Sequence, residues 1–226
     1  RACIMINLAG NLQNGISING KHSYRDFGLF ISKKVIEMPS VKRIRETVPY
    51  MNGSHDFSKL NGELTYEDRI ISYTFDITGN DAEEMNKKKH DVSAWLCTVH
   101  EEDIQDDDYP HLHFVGSYHE SDWEEDDGQG ELTIKFICKP YMYANAETVI
   151  ELAAGTNVSL TVQNDSDHRV IPTVETNAAL TIQVSGKKFV FSGNGKHQLF
   201  ALEKGNNQVT YTLTGNGKIR FYKEVF

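Results

Sequence analysis

The chain has 226 residues, 39% hydrophobic and 24% charged, a balance that describes one large or two ordinary folded domains and not a disordered chain. Its formal net charge of -9 opposes a main affinity for nucleic-acid phosphate or for an anionic membrane surface. No stretch approaches the ~20 apolar residues of a membrane helix, and Cys3, Cys97 and Cys138 lie too far apart for a zinc knuckle or a disulfide framework, which points to synthesis in a reducing cytoplasm.

Residues 1–140 hold 25 Asp and Glu against 15 Lys and Arg, whereas residues 141–226 hold 7 against 8. A shift of that size predicts two domains meeting near Pro140. In the first, Arg69 to Ile77 alternates, with Ile71, Tyr73, Phe75 and Ile77 on one face, and predicts a half-buried strand. Gly79-Asn80 breaks it. Asp81 is placed to cap a helix whose first turn carries Glu83 and Glu84, where the helix dipole favours anions. Met85, Val92, Trp95 and Leu96 recur at helical spacing, predicting one amphipathic helix through about His100, packed on a sheet. Cys97 and Cys138 fall in apolar patterns and read as small core residues. His90 and His100 do not read as metal ligands.

An acidic segment follows: Glu101, Glu102, Asp103, Asp106, Asp107 and Asp108, then Asp122, Glu124, Glu125, Asp126 and Asp127. Such runs read as solvated loops, and no D-x-[DN]-x-[DN]-G loop supports calcium. His111 and His113 project from one face of the strand His111 to Tyr118, but an H-x-H pair without a third ligand makes no zinc site. Glu131 to Cys138 alternates, burying Leu132, Ile134, Phe136 and Cys138, and is expected to stop at Pro140 and close the first domain.

The second part reads as strands throughout: Thr148 to Leu152, Val158 to Gln163, Pro172 to Glu175, Leu180 to Val184, Lys188 to Phe191, His197 to Leu202, Val209 to Leu213 and Lys218 to Phe226. Reversals such as Ser185-Gly186, Gly193-Asn194-Gly195 and Gly215-Asn216-Gly217 separate them. About eight strands at this spacing predict a β-sandwich. No nucleophile elbow, phosphate loop, H-E-x-x-H or dinucleotide fingerprint occurs, so no catalytic, cofactor-binding or metal residue is assigned. The acidic clusters look too exposed to supply a glycosidase carboxylate pair.

Four segments in order carry a resemblance. They are Asn19-Gly20 through Asp26-Phe27-Gly28-Leu29-Phe30-Ile31; Val48-Pro49-Tyr50-Met51-Asn52-Gly53-Ser54-His55-Asp56-Phe57-Ser58 with Tyr66-Glu67-Asp68-Arg69 leading into Ile71 to Phe75; Val92 to Leu96; and Phe136-Ile137-Cys138-Lys139-Pro140-Tyr141-Met142-Tyr143. Together they resemble the distal tail proteins of long non-contractile-tailed phages and prophages of Gram-positive bacteria. Residues Arg1 to Asn14 precede the family's usual start, and the acidic 101–127 region is more charged than the family's.

The resemblance implies a mainly β protein: a ring-forming tail domain over 1–143, sandwich-like with one α-helix, and a galectin-like or carbohydrate-module-like β-sandwich over 144–226. It implies a structural role at the virion tail tip, not an enzyme. A hexameric ring would form the baseplate hub, joining the tail tube protein to the tail-associated fibre or lysin protein and anchoring receptor-binding proteins, with no cofactor and no specific nucleic-acid binding. Tyr50, Met51, Asn52, His55 and Phe57 are the candidates for the ring interface. Because a genome crossing the hub would be held by a basic lining, Glu101, Glu102, Asp106, Asp107 and Asp108 are the candidates for facing the channel. The alternative is a carbohydrate-binding module for host cell-wall or surface glycans. A hydrolase built on His111, His113 and the acidic loops ranks third.

Overall fold

A computed structural model describes residues 14–59, 62–79, 81–126 and 129–226. The chain divides into two compact units, Arg1–Met142 and Tyr143–Phe226.

Unit 1 opens with β1 (Ile16–Ile18), β2 (Lys21–His22) and the five-residue helix α1 (Ser23–Phe27). This helix was not expected beside the longer one: it is too short to show a period, and its cap is a histidine. His22 Nδ1 accepts from the N–H groups of Tyr24 (3.1 Å) and Arg25 (3.2 Å), doing what Ser or Asp does at most helix starts. Gly28 ends α1 at φ 69°, the left-handed position from which its N–H reaches Tyr24 O (2.8 Å) while Leu29 N–H reaches Ser23 O (3.0 Å). That geometry explains the glycine of the Asp-Phe-Gly-Leu segment.

The sheet is completed by β3 (Phe30–Ile36), β6 (Arg69–Thr78), β7 (Glu102–Asp106), β8 (Leu112–Asp126) and the first part of β9 (Gln129–Leu152); β4 (Arg45–Glu46) and β5 (His55–Asp56) form a separate ribbon. The strand order β3-β6-β9-β8-β7-β1-β2 is antiparallel where the register is defined, and β6 pairs with β9 over ten rungs from Arg69↔Cys138 to Thr78↔Gln129. The alternation of β6 sends Ile71, Tyr73 and Phe75 into a core with Phe114, Ile134 and Phe136, all 0% exposed. Each such side chain stabilises the fold by about 1.5–3 kcal/mol.

Helix α2 (Ala82–Leu96) starts on Asp81, whose Oδ1 accepts from Glu84 N–H (2.8 Å), and buries Met85, Val92, Trp95 and Leu96. Trp95 stacks on Phe27 and donates through Nε1 to Ile18 O (3.2 Å), which ties α2 to α1 and β1. The helix ends at Leu96 and not near His100, because Thr98 N–H and Val99 N–H bond to Trp95 O and Leu96 O in a tightened last turn. Cys97 is exposed, contrary to the core reading: one residue past Leu96 turns it 100° off the buried stripe. Cys138 is buried.

Pro140 does not end its strand. β9 runs through it to Leu152, and Pro140 lies beyond Cys138, the last residue paired with β6, so its missing N–H breaks no rung of that ladder.

Unit 2 is a sandwich. The end of β9, β11 (Thr173–Thr176), β14 (Gly195–Lys196) and β16 (Gly217–Val225) form one sheet; β10 (Gly155–Asn164), β12 (Leu180–Val184), β13 (Lys187–Phe191) and β15 (Gly205–Leu213) form the other in the order β10-β15-β12-β13. Between them lie Val162, Val174, Leu180, Ile182, Phe200, Val209 and Ile219, each 0% exposed. The strand expected over His197 to Leu202 is absent apart from a bridge between Val170 and Leu202; Phe200 and Leu202 are instead carried into the core by a loop whose Phe200 N–H bonds to His197 O (2.8 Å). Gly205 begins β15, and just before it Asn207 Nδ2 donates to Glu203 O (2.7 Å) across the reversal.

Candidate assembly surface

Between β3 and β6 the chain runs out as a two-stranded arm. Lys42 N–H donates to Thr65 O, Glu67 N–H to Ser40 O and Phe57 N–H to Ile44 O, each at 2.8 Å, and β4 pairs with β5 beyond them. Side chains reinforce the ribbon: Ile44 N–H donates to Ser58 Oγ (2.9 Å), and Ser58 N–H to Asp56 Oδ1 (2.9 Å). Those serine hydrogen bonds, with Arg45 and Arg43 behind them, hold the Asp56 carboxyl below its usual range.

Every residue from 42 to 57 is exposed. Ile44, Val48, Tyr50, Met51 and Phe57 are large and apolar, Met38 at the root is 72% exposed, and Tyr50 is fully so, held at φ 67° where a side chain is strained. All five candidates for the ring interface, Tyr50, Met51, Asn52, His55 and Phe57, sit on this arm. Sequence reading missed Ile44 and Val48; the signal was apolar residues interleaved with Lys42, Arg43 and Arg45, a pattern that buries nothing within one chain. A second open feature lies beside the arm. Among the described residues β3 pairs with β6 alone, and it exposes Phe30 (44%) and Val35 (43%).

The acidic candidates divide. Asp106 is 0% exposed and accepts from Tyr73 Oη (2.9 Å), Lys34 Nζ (2.9 and 3.2 Å) and Asp108 N–H (2.9 Å). It faces the core and not a channel, since period two along β7 puts it on the same face as buried Ile104. Asp107 Oδ2 accepts from Gly15 N–H (3.1 Å) and meets His22 Nε2 (3.0 Å); as His22 Nδ1 accepts from the α1 backbone, Nε2 carries the proton in the neutral ring. Asp108, 59% exposed, meets Lys34 Nζ at 2.5 Å. The expected solvated loop is thus a clasp joining β7 to the opening segment and to β3. Desolvation opposes the charge of Lys34, yet the hydrogen bonds and charges of Asp108 and Asp106 win and raise its pKa.

Glu101 is exposed and Glu102 half-buried. Asp103 lies 3.5 Å from His113, and Lys89 from α2 pairs with Glu125 and lies over Trp123. Asp127 lies outside the described residues. His111 is exposed, and among the described residues no group of three or more His, Cys, Asp or Glu is placed to hold a metal ion.

Burial pushes the Cys138 thiol from 9.0 up to about 12, and Tyr73, desolvated beside the Asp106 charge, well above 10.0. Both groups keep their protons longer folded than unfolded, so stability should fall as pH rises from about 9 towards 12. In the native protein at mildly alkaline pH, iodoacetamide should label Cys97 and leave Cys138 untouched until denaturant is added, as read by peptide mass mapping. Native labelling of Cys138 would contradict the packing around β9.

Residues 20–138, just over half of the chain, match the family described as the phage tail protein RIFT-related domain. Among solved structures, the SPP1 Dit (gp 19.1) protein, described as a paradigm of the hub adsorption apparatus in phages that infect Gram-positive bacteria, aligns at a TM-score of 0.73. That alignment covers 95% of this chain and 100% of that one at 14% identity, a likeness of fold. The phage P2 baseplate in its activated conformation with Ca aligns over 83% of this chain and 90% of that one, at 8% identity and a TM-score of 0.34. No curated protein sequence matches the chain.

Proposed function

The chain belongs to the phage tail protein RIFT-related domain family, and on that premise we propose that it is a structural, non-catalytic hub of the tail tip. The observation that carries this reading is the arm. A two-stranded ribbon is marginal in water by itself, and one that exposes five large apolar side chains in sixteen residues needs a second surface to cover it. A neighbouring copy supplies that surface if the contact is heterologous, and a heterologous contact that closes gives a ring. In this reading residues 1–143 build a ring of six subunits, the arm of each lying on the next. The open edge of β3 gives the ring a backbone contact beside the arm.

The likeness in fold to a protein described as part of a hub adsorption apparatus supports the same role. Such a hub would join the tail tube protein to the tail-associated fibre or lysin protein and anchor receptor-binding proteins, and it would be carried on the virion tail tip. Of the acidic candidates, Glu101, Glu102 and Asp108 keep exposed or half-exposed carboxylates that can line its channel; Asp106 cannot. Light scattering on the full chain tests the assembly: a mass of six subunits, or of two such rings back to back, is expected. A single-chain mass at high concentration would contradict it.

A further inference from the structure

One face of the unit 1 sheet packs on the core, and the other is open. Because Tyr73 of β6 points inward, period two turns Ile70 and Ser72 outward, and the register carries that face across the sheet. Val35 of β3 lies opposite Ser72, Ser72 opposite Lys135 of β9, and Ile70 opposite Ile137. Val35 and Ile137 are exposed and Ile70 is half-buried, so the face carries an apolar strip open to solvent.

Carboxylates flank the strip. Glu120 of β8 accepts from Lys135 Nζ (2.7 Å), and this hydrogen bond and charge, with the charges of Asp122 and Glu37, raise the pKa of Lys135. The three acids therefore stand around one lysine, and all three are exposed. Lys33 and Lys139 share the face by the same alternation, but Asp76 and Glu131 balance them, which leaves Glu37 and Asp122 in excess.

The arm has the opposite character. Lys42, Arg43 and Arg45 place three exposed cations in four positions around Ile44, in a unit whose acids outnumber its bases. Asp56 meets Arg43 (3.7 Å) and Arg45 (3.6 Å) yet leaves each more than half exposed. Two arms meeting would set cations against cations, and two sheet faces would set carboxylates against carboxylates. Arm on face joins unlike charges and covers apolar surface with apolar surface.

We propose that the arm of one copy docks on the outer face of the β3-β6-β9-β8 sheet of a second copy, its apolar side chains on Val35, Ile70 and Ile137 and its cations against Glu37, Glu120 and Asp122. This rests on the ring reading above and names the surface that receives the arm. The contact is heterologous, as closure into a ring requires.

Sedimentation velocity of the full chain tests the contact with two charge reversals at exposed positions: Glu37→Lys with Asp122→Lys on the face, and Lys42→Glu with Arg43→Glu on the arm. Each variant alone should self-associate about a hundredfold more weakly, because like charges then meet, while its urea unfolding stays that of the parent. Mixed in equal amounts the two should assemble again, since in a ring that alternates them every reversed arm meets a reversed face and every parent arm a parent face. A face variant that associates like the parent overturns the docking surface, and so does a mixture no better than its components. A parent chain that stays single at high concentration removes the ring and this contact together; a parent that assembles beside an unaffected face variant keeps the ring and strikes this surface alone.

Discussion

Asp106→Ala is expected to destabilise unit 1 by about 3–5 kcal/mol, the cost of removing one partner from a buried ion pair. The change strands two groups at once. Tyr73 Oη, fully buried, loses its acceptor, and Lys34 loses the carboxylate that opposes its desolvation. Lys34 keeps Asp108 and a path to water, which places the value toward the lower end of the range. Asp106→Asn, which keeps an acceptor for Tyr73 Oη, should lose less, and Tyr73→Phe about 1 kcal/mol. Urea unfolding followed by fluorescence of unit 1 gives the order; Asp106→Ala as stable as the parent would mean that the carboxylate is not the centre of the clasp.

The second large effect concerns assembly. The double substitution Tyr50→Ala with Phe57→Ala removes two large exposed side chains of the arm, Tyr50 fully exposed and Phe57 at 40%. If they are anchors of the subunit contact, each is worth at least about 2 kcal/mol, and the pair should weaken association by roughly a thousandfold. The stability of the single subunit should barely change, since an exposed side chain contributes little to it. Sedimentation velocity beside urea unfolding separates the two readouts: lost assembly with unchanged folding supports the contact, and intact assembly moves it elsewhere.

The contrast between Asp106 and Tyr50 shows which parts of this molecule a sequence displays. Strands with one buried face are legible, because period two writes burial directly into β6 and β9; the start of α2 is legible because Asp81 is a strong cap. Asp106 obeyed the same period as Ile104, but six acidic residues close together read as charge before they read as pattern. The α1 cap was hidden because a histidine caps only through an unprotonated Nδ1, the tautomer that Asp107, distant in sequence, favours here. Pro140 looked like a stop because the rule for proline in a strand holds only where its N–H is needed, and pairing partners are set by tertiary structure.

The candidate surface was legible by resemblance and not by chemistry. Tyr50, Met51, Asn52, His55 and Phe57 came from an ordered set of motifs, and the structure adds that they share one projecting ribbon with Ile44 and Val48.

Single-particle electron microscopy of the full chain tests the central claim most directly. The account predicts closed rings of six subunits built through unit 1, with the arm of each subunit on its neighbour. Isolated subunits, or rings closed through unit 2 with the arm of residues 42–57 left uncovered, would contradict it.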